Sequence, residues 1–455
     1  VRQFGMGDAF FFYEAEIAFR DFCLVVNGDL PLSELSQVMI RCGEDWVHVK
    51  TLKRPAEQQL DVVPALDLMN VGGLSENGKI GAFHYLKPAG ARLSTSLSNR
   101  GCRAECTFCS VRNFNGVGVR TRSIQSVIDE LLVLRHDHGV SHIMWLDDDF
   151  LYNTKRVLTL FNEMVRQNVD LTWDCSNGVI AASCKEEVIA GAAASGCIGL
   201  NIGMESGSPR ILRSVLKPGT VKNFLNAAEV LRRHPTIQSR VFLMIGFPGE
   251  TFDDISRTIQ VSREMALDWY STTPLQPLPN TPIFDQMVDQ GLIGSLSFKD
   301  IRYVGGPHGK INQKAHHSGE VMLTDFDRLI AEADPNAIPG PEDIEVIWAY
   351  MNYHLNFARL SEEQRPLKLQ QALSMLNYIA DVVAPNDPIA HYYRDLLYRR
   401  MHGHVPENLT QRLAELLASN GDWQRKFEVL GLSVADIGDL YPGDSDGRLS
   451  RLGEA

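Results

Sequence analysis

Cys102, Cys106 and Cys109 place three thiols within eight residues, in the run Gly101-Cys102-Arg103-Ala104-Glu105-Cys106-Thr107-Phe108-Cys109-Ser110. The C-x3-C-x2-C spacing lets one tight loop wrap a single inorganic cluster. A [4Fe-4S] cube has four corners, each of which takes a thiolate when the cluster only carries electrons. Three local thiols therefore leave one iron open, and an open iron can hold a small molecule through an amino and a carboxylate group. A disulfide is disfavoured, because the local thiols are odd in number and the chain shows no sign of secretion. A structural zinc site would need a fourth ligand and usually shows paired C-x2-C units.

The cysteine run must be held by what surrounds it, and there the sequence alternates. Strands are expected at 92–97, 142–146, 171–176, 198–204, 240–245 and 270–274. Helices are expected at 123–132, 154–165, 186–194, 221–233 and 253–265, from polar caps and apolar residues at helical spacing. Six strands with intervening helices make a parallel β/α array, whose chemistry collects at the carboxyl ends of the strands. Asp147-Asp148-Asp149, Ser176, Glu205-Ser206-Gly207-Ser208 and Gly246-Phe247-Pro248-Gly249-Glu250-Thr251 all fall at such ends.

The cysteine run with these strand ends resembles the radical S-adenosylmethionine (radical SAM) superfamily over roughly residues 90–290. The resemblance implies a partial parallel (β/α)6 barrel in an α/β fold. It also implies a [4Fe-4S] cluster on Cys102, Cys106 and Cys109, and SAM chelating the free iron. One electron then cleaves the sulfonium to a 5′-deoxyadenosyl radical. Asp147, Asp148 and Asp149 stand where the family hydrogen-bonds the SAM amino nitrogen, although its commoner form there is Gly-Gly-Glu; one of the three is also expected to cap a helix. Glu205 matches the position that contacts the ribose or amino end, with Gly203 and Gly207 permitting close backbone approach. Gly246 belongs to the turn that lines the adenine, Ser176 joins the SAM-contacting candidates, and Glu250 is expected to cap the following helix. Phe108 would shield the cluster, and Arg120 and Arg122 would either offset its charge or be solvated.

Residues 1–88 are expected to be the end of a cobalamin-binding domain and its linker. Gly5, Gly7 and Asp8 would form a strand-end turn, followed by a helix over 10–22, a hairpin over 38–49 and a Pro-bearing linker at 60–68. This order is similar to the approach to the barrel in cobalamin-dependent radical SAM enzymes, and Val1 in place of Met suggests a fragment. Residues 89–295 would be the barrel and 296–455 a C-terminal helical domain, with helices at 344–360, 367–383, 388–401 and 409–418. His308, His316 and His317 are expected to be loop histidines, and Cys175, Cys184 and Cys197 core fillers.

The chain has 455 residues, 44% of them apolar and 22% charged, which is ordinary for a folded protein. Its net charge of −12 argues against a nucleic-acid partner, and no apolar run reaches the length of a membrane span. Eight cysteines without a secretion signal point to a reducing cytoplasm. The expected activity is cobalamin-dependent methylation of an unactivated carbon on a small-molecule or peptide substrate, with an electron donor such as flavodoxin or ferredoxin. The alternatives are oxidation or cyclisation without methyl transfer, and a non-catalytic metal-binding interaction protein.

Overall fold

A computed structural model describes residues 7–71, 73, 80–293 and 325–437. The N-terminal part holds strand β1 (Ala9–Phe11), a helix (Glu16–Asn27) and a hairpin of β2 (Val38–Cys42) and β3 (Asp45–Val49). The hairpin lies where its two apolar runs put it, and Gly43 takes the φ of +67° that the turn requires. The helix expected over 10–22 is corrected. Phe10 sits in β1, antiparallel to β2 with Phe11 opposite Val38, and the helix starts only at Glu16. So short an apolar run has no period of its own, and a strand partner beyond the helix decided its state. Residues 1–6, with Gly5, lie outside the described residues. Gly7 has φ +86°, and Asp8 pairs with Arg41 at 2.6 Å.

After β4 (Leu93–Ser96), a minimal ladder of β5 (Asn99–Arg100) and β6 (Arg120–Thr121) closes off the segment that carries the cysteines. The strands β7 (His142–Trp145), β8 (Thr172–Val179), β9 (Cys197–Glu205), β10 (Gln238–Ile245) and β11 (Trp269–Pro274) then join β4 in one six-stranded sheet. Its strands neighbour one another in chain order, and every pair is parallel. This is the α/β partial barrel expected, with helices over the outer face. The helix Thr154–Arg166 is typical: Asn153 caps it by accepting from the Arg156 N–H at 3.0 Å, and Val157, Leu160, Phe161 and Met164 make its buried stripe. Phe161 stacks on the fully buried Trp173 of β8 at 5.3 Å between ring centres. Burying such an aromatic contributes about 2–3 kcal/mol. Cys175, Cys184 and Cys197 lie buried in this same core.

One end of the barrel is stoppered by residues 81–87. Phe83 is fully buried beneath Gly199, where an added Cβ would come within 2.3 Å of its ring, and Tyr85 donates to Gln238 at 2.6 Å. At the same end the His142 ring bonds Asp174 and Thr172, each at 2.9 Å, and Lys87 donates to Thr172 at 2.7 Å.

The helix Pro341–Asn352 packs Ile347, Trp348 and Met351 into the barrel core before running into a π-helical turn, Tyr353–Phe357. A second cluster gathers the helices Pro366–Tyr378, Pro388–His402, Glu407–Ala418 and Gly421–Val429. Asp387 caps the helix Pro388–His402 from the residue before Pro388, as expected. Gly305–Lys310, His308, His316 and His317 lie outside the described residues.

Candidate active site

The cysteine loop is closed at a neck and pinned at its tip. At the neck β5 pairs with β6, and the Arg122 N–H donates to the Ser98 carbonyl at 3.1 Å. Gly101, at φ +89°, lets the two legs meet there: an added Cβ would lie 2.4 Å from the Gly118 carbonyl oxygen. At the tip, Thr107 donates its N–H to Val215 at 3.0 Å and accepts at 3.1 Å from Ile283, in the first turn of the helix Pro282–Asp289. That helix thereby satisfies one of the N–H groups its own ladder cannot. Phe108 packs on Phe247 at 6.1 Å, over a patch with Ile211, Val215, Leu275 and Ile283. The loop thus reaches from the first strands of the sheet across to the last.

Cys102, Cys106 and Cys109 are free and half-buried. Burial pushes the Cys102 thiol up to about 11 and Cys106 to about 12, and raises Cys109. The three feel one another's charge, yet among the described residues no three His, Cys, Asp or Glu side chains converge as the ligands of a single ion do. A cube presents three separate irons, each taking one sulfur, and iron coordination supplies the charge that deprotonates a buried thiol. The donor set therefore fits a cluster.

The three strand-end aspartates divide their work. Asp147, fully buried, takes the Ser98 and Asn99 N–H groups at 2.9 and 2.8 Å and the Ser98 hydroxyl at 2.5 Å. Asp148 accepts from the Gly101 N–H at 3.2 Å and from Asn115 at 2.6 Å. Asp149 meets Arg103 at 3.0 Å through Oδ2, while its buried Oδ1 has no protein partner. Burial pushes the Asp147 carboxyl up to about 7; it also raises Asp149, against the opposing pull of Arg103. None of the three caps a helix, because the next helix begins after Asn153, which corrects that expectation.

Across the mouth Glu205 ends β9 at φ +68°, a left-handed conformation rare for a residue with a side chain. Its carboxylate is held by Lys217 at 2.8 Å, in the hollow that Gly203 leaves. A Cβ on Gly203 would come within 2.7 Å of the ammonium and 3.0 Å of the carboxylate. Burial lowers the Lys217 pKa, but Glu205, Cys106 and Cys109 outweigh it and raise the pKa overall, so the lysine is a cation beside two of the thiols. Lys217 is not singled out in the sequence, because it stands beyond a short helix, Pro209–Ser214, from Glu205. Its only local signal is a turn, with Leu216 at φ +53° before Pro218-Gly219. Arg120 and Arg122 are engaged elsewhere: Arg120 with Glu14 and Pro55, Arg122 with Glu130.

Gly207 serves packing, since a Cβ there would meet the backbone of the helix Phe252–Met265 at 2.7 Å. Ser176 lies within β8, which runs on to Val179, and its hydroxyl bonds Asp174 and the Ala82 N–H at the stoppered end. Gly246, at φ +85°, donates its N–H to Glu250 at 2.6 Å. Glu250 closes that turn, and the helix is capped instead by Thr251 with Asp254.

The radical SAM superfamily model matches residues 97–261. An uncharacterized methyltransferase of Pyrococcus horikoshii is 28% identical over 248 residues, covering 54% of this chain and 51% of that protein. The cytidylyl-2-hydroxyethylphosphonate methyltransferase of Streptomyces wedmorensis is 23% identical over 312 residues, covering 63% of this chain and 58% of that protein. The chain thus spans a little over half the length of these curated relatives. Among solved structures, the cobalamin-dependent S-adenosylmethionine radical enzyme OxsB, with aqua-cobalamin and S-adenosylmethionine bound, superposes with a TM-score of 0.54 at 15% identity. That likeness of fold covers 97% of this chain and 67% of the other.

Proposed function

We propose, from the premise that residues 97–261 are a radical SAM domain, that the chain is a radical SAM methyltransferase acting with cobalamin on an unactivated carbon. Two of its relatives are named methyltransferases. The observation that carries the reading is the cysteine loop pinned across the mouth, with Asp149 and the Lys217–Glu205 pair converging on it.

When bound, the cluster supplies the electron that cleaves SAM to the 5′-deoxyadenosyl radical, and methylcobalamin supplies the methyl group. Cys102, Cys106 and Cys109 would hold the cluster. Asp149 is the aspartate we assign to the SAM ammonium, because its Oδ1 is buried and unpartnered whereas Asp147 is saturated. Such a pairing is a charge-assisted hydrogen bond in a dry site. Lys217 offers its positive charge to the SAM carboxylate, and Glu205 fixes its position. Phe108 and Phe247 exclude water from one flank. Gly246 lines the adenine.

Cobalamin would be held by a domain of which residues 1–88 are the last part; residues 89–295 are then the barrel and 296–455 the helical C-terminal region. A small-molecule or peptide substrate, not a nucleic acid, suits a net charge of −12. No helix among the described residues is long and apolar enough to cross a membrane. Eight unpaired cysteines suit a reducing cytoplasm, where a flavodoxin or ferredoxin would deliver the electron.

Anaerobically reconstituted protein should show iron-sulfur absorbance and form 5′-deoxyadenosine from SAM with dithionite. Formation of that product by Cys106→Ala would refute the assignment. The full-length gene product should retain hydroxocobalamin through gel filtration, and failure to do so would refute methylation.

A further inference from the structure

The neck of the cysteine loop is gripped from two sides at one residue. Ser98 is fully buried and is the last residue before β5. Asp147, at the end of β7, holds its N–H and its hydroxyl and also takes the N–H of Asn99. From the helix Thr154–Arg166, Arg156 donates Nη2 to the Ser98 carbonyl at 3.0 Å and to the Arg122 carbonyl at 2.8 Å. Its Nη1 reaches the Ser98 hydroxyl at 3.4 Å. Ser98 leads into the loop and Arg122 follows its return, so a single guanidinium spans the entry and the exit. Both N–H groups and both carbonyls at the neck thus have partners from outside the loop or from its opposite leg.

We propose that Asp147 and Arg156 are positioning residues that form a latch on Ser98, fixing the neck of the cysteine loop and with it the placement of the three sulfurs toward the cluster. The inference rests on the cluster reading of those sulfurs. Asp147 needs both carboxylate oxygens for the task, because Oδ1 receives two donors and Oδ2 a third. Asparagine offers only one acceptor and would turn an amide N–H toward a backbone donor. Arginine in turn holds the two N–H directions of Nη2 fixed in one plane, one toward each carbonyl, and sets Nη1 toward the Ser98 hydroxyl, where a lysine ammonium is a point charge on a flexible stem.

The test is anaerobic reconstitution of wild type, Asp147→Asn, Arg156→Lys and Ser98→Ala. Each is followed by iron release to a chelator, by the EPR lines of the reduced cluster with and without SAM, and by the melting temperature. Asp147→Asn and Arg156→Lys should hold iron on the order of 10- to 100-fold less well, the usual range for groups that orient metal ligands. The EPR lines of their remaining clusters should be shifted. Ser98→Ala, which keeps the backbone bonds, should fall between these and wild type. Wild-type iron retention and EPR lines in the variants overturn the latch, even where the melting temperature falls. If Asp147→Asn does not fold, Ser98→Ala and Arg156→Lys decide the matter by the same readouts. Failure of wild type itself to take up iron overturns the cluster reading and the latch together.

Discussion

The two ends of the barrel carry similar chemical groups put to different uses. At the stoppered end His142, Asp174, Ser176, Thr172 and Lys87 form one chain of hydrogen bonds, with both ring nitrogens of His142 and both oxygens of Asp174 engaged. At the mouth Asp149 Oδ1 and Glu250 Oε1 are buried without a partner, and Glu205 sits in a backbone conformation that only its surroundings sustain. A buried acceptor left unmade costs about 1–3 kcal/mol. Polarity alone does not separate a binding site from a structural one. What separates the two aspartates is whether their hydrogen-bonding capacity is used up: both oxygens of Asp174 are engaged, whereas Asp149 keeps Oδ1 without a protein partner.

The largest effect on stability should come from the stoppered end. Asp174→Ala strands His142 and Ser176 and should cost about 1–3 kcal/mol for each of the two groups left unpaired, read by chemical denaturation. SAM affinity of the folded fraction should be unchanged. At the mouth the pattern reverses. Asp149→Asn should weaken SAM binding by about 2 kcal/mol, the scale of a charged hydrogen bond, in equilibrium dialysis, with little change in melting temperature. A variant that lost stability but kept affinity would erase the distinction between the ends.

Gly203→Ala sharpens it further. The new methyl would meet the movable tips of Lys217 and Glu205 rather than backbone, so the fold should tolerate it. SAM affinity should nonetheless fall by about 1 kcal/mol, the size of one displaced hydrogen bond. The most conditional is Glu250→Gln, whose effect depends on pH. Burial raises the Glu250 carboxyl to about 8 against the opposing Gly246 and Phe247 N–H bonds, so the fold favours the neutral acid. That stabilisation is complete below the ordinary carboxylate range and is lost as pH rises through about 8. Glutamine cannot ionise, so the variant should gain on wild type between about pH 5 and pH 8, by at most about 1.4 kcal/mol per pH unit. Thermal melts at the two pH values check this.

The alternation of strands and helices was legible because each element carries its own period and cap. The helices Glu186–Ala194 and Val221–Arg233 have the bounds their apolar spacing indicates. The cysteine loop was equally open to reading, since its chemistry lies in local spacing. What could not be read depends on contacts between distant residues. Three identical aspartates take three different partners, and only the loop folded against them assigns each one. Lys217 reaches Glu205 only after a helix and a turn have brought it back. Ser176 looked like a strand-end group because the bulged β8 runs three residues past it, to Val179.

The plug at residues 81–87 has a consequence for traffic. With Phe83 buried under Gly199 that end is shut among the described residues, so a molecule held at the carboxyl ends of the strands comes and goes on the far side of the plug, past the cysteine loop or through the seam where β4 and β11 do not pair.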